Sequence, residues 1–311
     1  MALVAVALGL ILLVGPGLVA PRCRRLPPPQ WARWAAASVA VGLALVDLGA
    51  LLAASPTVLQ AAGVPKLASL CQRAVGSLVV WSPAVGWAAA VVAVTVAGRA
   101  AHGWRRGRRV HRLARAEPWL GTHHRLDDHD LVVLPTARPV AFSVAGQPGQ
   151  VVVSSGLWAT LDPAEFEVLI AHEVAHLDFG HQRLLTVALV AERAIGWLPG
   201  VSRSLSSLRL GVERWADEEA AGRHPTRRRA LQTALLAAAG TPAGALAAFG
   251  RVDGLVERID ALDRPAPVGS PAGAALLGTP AAAAALAGFG ALGSWMGHAG
   301  VVLAMAVHCS A

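Results

Sequence analysis

Charge is what this sequence has least of. Asp, Glu, Lys and Arg make up 15% of its 311 residues, where a soluble domain carries about 25%. The deficit gathers in a few long apolar runs, and the apolar fraction reaches 55%. Cysteine is scarce too: Cys23, Cys71 and Cys309 are the only three. None forms a C-x-x-C pair, which argues against a cysteine-built zinc site, and an odd count argues against a disulfide scaffold. A Cys71–Cys309 bridge stays open if both lie outside the cytoplasm. Internal repeats and glycine-rich phosphate motifs are absent, which removes solenoid and nucleotide-binding readings. Acidic residues number 19 against 27 basic ones, for a net charge of +8. A soluble protein this basic would suggest nucleic acid. Here no aromatic-interleaved basic face exists, so direct nucleic-acid binding is not expected. The arginines instead cluster beside the apolar runs, at 22–33 and 99–115.

Those runs predict membrane spans. Residues 2–20 carry no charge and match the roughly 20 residues a helix needs to cross a bilayer. A cleaved signal would carry positive charge before its apolar core, but Arg22, Arg24 and Arg25 follow it, so the span reads as retained. A second span is expected near 32–54, entered at Trp31 and Trp34, residues that suit an interface. Asp47 lies inside it. An ionisable group in a span is a functional candidate, unless it sits near the outer end and is hydrated. A third span is expected near 76–98, with Pro83 kinking it. The stretch 272–308 contains no Asp, Glu, Lys or Arg. It reads as one crossing near 283–306, two short crossings being the alternative. The loop 55–75 holds only Lys66 and Arg73, whereas Arg99, Arg105, Arg106, Arg108, Arg109, Arg112 and Arg115 follow the third span. By the positive-inside rule this places 99–270 in the cytoplasm and both termini outside. The fold class expected is a mainly α, multi-pass cell-membrane protein of about four transmembrane helices with an inserted α+β zincin-like metallopeptidase domain. Its divisions are 1–98 (three spans), 99–270 (the domain) and 271–311 (the last span).

Within the domain, Leu131 to Leu134 is a short apolar run stopped by Pro135. Ala141 to Ser154 reads as a hairpin about a Gln147-Pro148-Gly149 turn. Asp162 is a plausible helix cap, with Pro163 at the first helical position and Glu165 three residues beyond the cap. That helix runs through FEVLIAHEVAHLDFG toward Gly180. Further helices are expected at 182–198, buried or lying against the membrane, at 206–222, and after His224-Pro225. A short amphipathic segment follows at 251–262, before the linker at 265–267.

The chemistry sits in His172-Glu173-Val174-Ala175-His176. Histidines four apart share one helix face and one metal ion. The Glu after the first histidine is placed as general base on a zinc-activated water. Zinc suits two neutral imidazoles plus a carboxylate, with a fourth position open. The alternative is a chance match on an ordinary helix. The apolar flank Val168 to Ala171 argues against it, because buried histidines need partners. For the third ligand, His181 lies on the opposite side of the helix and beyond its end, so it reads as a surface or capping group. Glu192 is too far along. Glu213, on a separate helix, is assigned to the metal, and Asp217, one turn on, to the carboxylate behind a metal-bound histidine. A solvated acidic helix is the competing reading, since Glu218 and Glu219 follow. Oxyanion candidates are His224, Arg223, Arg227, Arg228 and Arg229, and spacing selects none. His123, His124 and His129 among Asp127, Asp128 and Asp130 read as a polar loop, a second metal site being the alternative.

HEVAH with ERWADEEAAG 37 residues after His176 resembles the H-E-x-x-H…E-x-x-x-D pattern of membrane gluzincins. Together with AFSVAG…VVVSSGLWATLDPAEFEVLIAHEVAH and the span layout, it resembles the BlaR/MecR antirepressor peptidase family, most strongly across 135–222. The resemblance implies one zinc at His172, His176 and Glu213, catalysis by Glu173 and support from Asp217. It also implies a regulatory protease whose protein substrate is a cytoplasmic, winged-helix transcriptional repressor. The sequence given ends just after the last expected span, without the family's penicillin-binding sensor, which puts β-lactam sensing in doubt. The competing functions are a quality-control protease of the HtpX type, degrading damaged membrane proteins, and a non-proteolytic signalling scaffold.

Overall fold

A computed structural model describes residues 2–23, 27–75, 82–116, 121–239 and 254–265. The expected last crossing near 283–306, the linker at 266–267 and Cys309 lie outside the described residues. Among the described residues, three helices are long and apolar enough to cross a membrane, by length and composition. They are α1 (Ala2–Cys23), α2 (Pro28–Ala61) and α4 (Pro83–Ala116). Two expectations change here. Pro83 starts α4 and does not kink a longer helix, because a first-turn proline lacks only an N–H that has no partner anyway. The segment read as a plain loop at 55–75 contains the end of α2 and a further helix, α3 (Pro65–Val75).

Glycine sets the approach of α1 to α2. A Cβ built on Gly42 would stand 2.8 Å from the Gly9 carbonyl oxygen and 2.8 Å from Leu13, so only a residue without a side chain lets the two helices meet this closely. Both α2 and α4 have 34 residues, about 51 Å at 1.5 Å each. That exceeds a hydrocarbon core of about 30 Å, and α4 continues unbroken through the arginine-rich stretch to Ala116.

A four-stranded sheet follows: β1 (Thr122–Leu126), β2 (His129–Leu134), β3 (Ala141–Val144) and β4 (Gly149–Ser154), in the order β1-β2-β4-β3. The expected 141–154 hairpin is the antiparallel β3–β4 pair, with Phe142 opposite Val152. Residues 122–130 form a hairpin rather than a polar loop, turning at Asp127, whose φ is +45°. His129 pairs there with Asp178 at 2.8 Å. Alternation in β1 is masked by its run of polar residues, so periodicity gave no strand signal.

The helices α5 (Ser155–Thr160), α6 (Pro163–Asp178), α7 (His181–Ile195), α8 (Val201–Ala221), α9 (Pro225–Ala239) and α10 (Leu255–Leu262) complete the described chain. The start of α6 is a capping box: the Glu165 N–H donates to the Asp162 side chain, and the Asp162 N–H donates back to Glu165. The antiparallel pair α7–α8 packs on the long apolar helices. Leu185, Ala188, Ile195, Leu205 and Leu208 share one buried core with Leu13, Ala35, Val39 and Val96. Ser204 ties α8 to α1 by donating to the Val14 carbonyl and accepting from the Gly17 N–H. The Trp31 indole of α2 donates to the Ser207 carbonyl. The 182–198 segment was expected to be buried or against the membrane, and it is buried against these helices.

Candidate metal centre

Helices α6 and α8 bring three ligand atoms together. His172, His176 and Glu213 each offer one, all within 4.8 Å of one another. The Nε2 atoms of His172 and His176 face each other at 3.3 Å. Glu213 lies 3.6 Å from the first through Oε2 and 3.9 Å from the second through Oε1. Two nitrogens bound to a tetrahedral zinc at about 2.05 Å stand about 3.3 Å apart, so the imidazole pair has the separation such an ion needs. Glu173, 8% exposed, follows His172 on the same helix, and the Ser143 side chain of β3 hydrogen-bonds to it. Asp217 stands behind His172, its Oδ1 3.1 Å from Nδ1.

One residue at the cluster was missed in the sequence. Arg258 of α10 donates to both oxygens of Asp217, at 2.8 and 2.7 Å, and its Nη1 lies 2.9 Å from Glu213. The available signal was position: Arg258 falls between Leu255 and Leu262 on the apolar stripe of a short helix, where a charge needs a buried partner. Arg258 also explains the charge balance. With His172 neutral, as a metal ligand must be, ionised Glu173, Glu213 and Asp217 against one guanidinium would leave two negative charges, which a divalent cation would neutralise.

The electrostatics follow from that packing. Burial opposes a charge on His172, but Asp217 and Glu213 outweigh it and push its pKa up to about 9. Burial brings His176 down to about 4 and pushes the Glu173 carboxyl up, with Glu213 adding to the rise. Glu213 and Asp217 are held below the usual carboxylate range despite burial, chiefly by Arg258. The donor set therefore fits zinc: hard and borderline ligands, net negative, with a carboxylate on the far nitrogen of one imidazole.

Other expected residues fall elsewhere. Arg223, His224 and Arg229 are exposed, and Arg227 binds the Ala220 carbonyl and Glu167. Arg228 is buried against Glu218 and caps the Ala261 and Leu262 carbonyls of α10; it holds the helix that carries Arg258. No oxyanion donor emerges from that group. His181 is corrected outright. It is fully buried, with its Nδ1 3.0 Å from Nδ1 of His176. Extrapolating the helix at 100° per residue put it on the wrong side, because the chain turns back at Gly180, whose φ is +64°.

Residues 105–249 match the model of peptidase family M48. The match covers just under half of the chain and includes HEVAH, Glu213 and Asp217, while Arg258 lies past its end. M48 peptidases are zinc metallopeptidases, so the match supports a metallopeptidase of gluzincin type. The match does not single out the BlaR/MecR type. No curated protein and no solved structure matches the chain.

Proposed function

We propose that this protein is a membrane-embedded zinc endopeptidase with a regulatory role, cutting a cytoplasmic transcriptional repressor. The observation that carries the peptidase reading is the convergence of His172, His176 and Glu213 with Glu173 beside them. The regulatory reading rests on the BlaR/MecR resemblance, and the cytoplasmic orientation on the arginines that follow α4.

Zinc held by the three ligands would supply Lewis acidity at the scissile carbonyl. Glu173 takes the proton of the attacking water and returns it to the leaving amine, and a carboxyl whose pKa burial has raised suits both transfers. Asp217 orients His172, and Arg258 holds Asp217 and Glu213 in register. At the edge of the sheet, β3 has β4 as its one strand neighbour among the described residues, and it packs against α6 through Ser143. An extended substrate added along Ala141–Val144 would lie beside Glu173.

The test is zinc content and proteolysis on the purified full chain and on Glu173→Gln. One zinc in both, with cleavage of itself or of casein only in the wild type, is expected. Loss of the general base should lower turnover by about 10²–10⁴-fold. Equal cleavage by the variant would remove Glu173 from the mechanism, and zinc without any cleavage would favour the scaffold.

One observation favours the quality-control alternative. The ligand-bearing α8 is bound directly to α1 and α2, so the metal cluster sits close to the apolar helices. Preferential cleavage of a misfolded membrane protein over a soluble repressor would select that reading.

A further inference from the structure

His181 is buried, holds a nitrogen against one of the metal-ligating histidines and has no part in the chemistry above. Its Nδ1 lies 3.0 Å from Nδ1 of His176, while Nε2 of His176 faces His172 and Glu213. The two nitrogens of His176 thus have separate duties. If Nε2 gives its lone pair to a metal, Nδ1 must carry the hydrogen, and that hydrogen needs an acceptor. The acceptor within reach is Nδ1 of His181.

We propose that His181 is a positioning residue: it accepts the Nδ1 hydrogen of His176, which fixes the tautomer and ring plane that present Nε2 to the zinc. The arrangement parallels that of Asp217 and His172 on the other ligand. The inference rests on the zinc-site reading above and adds to it a partner for the second histidine.

Three features support the role over simple packing. The first is the direction of the bond. A hydrogen donated from His181 to His176 would put the His176 hydrogen on Nε2 and remove that ligand, so only one direction is compatible with metal. The second is cost. Accepting at Nδ1 places the His181 hydrogen on Nε2, a buried atom without a hydrogen-bond partner among the described residues. An apolar side chain would fill the same space without that loss. The third is rigidity. The His181 ring lies 4.6 Å from the Trp215 ring, Phe179 packs on both, and Trp215 is fixed by a bond from its indole to Glu219 and by Arg33 of α2 over its face. The acceptor is held still, as orientation of a ligand requires.

The experiment uses the full chain in detergent, stripped of metal, with zinc affinity measured by chelator competition and the visible spectrum recorded after cobalt substitution. His181→Leu removes the acceptor. His181→Asn puts an amide oxygen where Nδ1 stands. Thermal unfolding of the metal-free forms controls for packing. His181→Leu is expected to bind zinc about 10–100-fold more weakly and to shift the cobalt bands, with His181→Asn recovering most of the affinity and the native spectrum. Affinities within about threefold of wild type for His181→Leu would overturn the proposal. So would equal weakening in both variants, which would mark a packing role. Absence of zinc from the wild type itself would overturn the metal site and this inference with it; an unaffected variant beside a zinc-loaded wild type overturns the inference alone.

Discussion

At the residue scale, the metal cluster is a problem of proton placement. In the metal-free fold His172 holds its proton up to about pH 9, whereas the unfolded chain releases it near 6.5. A raised folded-state pKa contributes stability that is complete below about pH 6.5 and lost as pH climbs through 9. The metal-free protein is therefore expected to lose stability across that window, measured by denaturant unfolding at each pH. Zinc must displace the same proton. Its apparent affinity should rise about tenfold per pH unit between 7 and 9, with close to one proton released at pH 7. Calorimetry in buffers of different ionisation heat counts that proton, and a count of zero would show that Asp217 does not hold a charged ring. Arg258 is the second test. Replacing it with Met leaves Asp217 and Glu213 as buried carboxylates without their cation, a loss of about 3–5 kcal/mol. Metal-free Arg258→Met is expected to unfold at clearly lower denaturant, and added zinc should recover part of the difference. A variant as stable as wild type would mean that the carboxylates find water instead.

At the scale of single elements, local sequence and tertiary contact share the work unequally. The start of α6 is locally specified: Asp162, Pro163 and Glu165 supply the cap, the first helical residue and the reciprocal bond. Asp162→Ala should destabilise by about 1 kcal/mol, seen as a lower thermal midpoint with zinc stoichiometry unchanged. That start was legible because capping chemistry needs only residues three apart. The β3–β4 hairpin was legible for the same reason. By contrast α10 gives little away in one dimension. Its eight residues look like any amphipathic turn, and the role of Arg258 depends on Arg228 anchoring the end of the helix from α9. The α1–α2 contact is intermediate: small residues are visible in the sequence, but which ones face each other is not. Gly42→Leu would force a side chain into the Gly9 carbonyl and Leu13, at about 1–3 kcal/mol. A detergent-solubilised variant should melt earlier, and an unchanged midpoint would show that α1 can slide.

At the scale of the whole molecule, spans and peptidase domain are not separable bodies. The core shared by α1, α2, α4, α7 and α8 means that α7 and α8 lack an apolar partner if the spans are cut away. A fragment covering 117–265 is expected to aggregate or bind hydrophobic dyes, with little zinc affinity, because α8 carries Glu213 and Asp217. A soluble, monodisperse fragment that binds zinc at wild-type affinity would refute this coupling. The same packing puts Arg33 of α2 on Trp215, Trp215 on His181 and His181 on His176, a continuous line of contacts from the long helices to the metal cluster.

The sequence by itself determined the long apolar helices, because hydropathy over some 20 residues is a sum that needs no partner. It also placed His172 and His176 side by side, because residues four apart on a helix share a face whatever surrounds them. It pointed to Glu213 as a carboxylate on a separate helix able to pack against the first, and to Asp217 as the residue one turn beyond it. Only the tertiary structure decided what stands behind each ligand. Asp217 against His172, Arg258 against both carboxylates and His181 against His176 are contacts between separate elements. They depend on how a left-handed turn at Gly180 and an arginine clamp at α10 redirect the chain, and no periodicity within one segment encodes such a return.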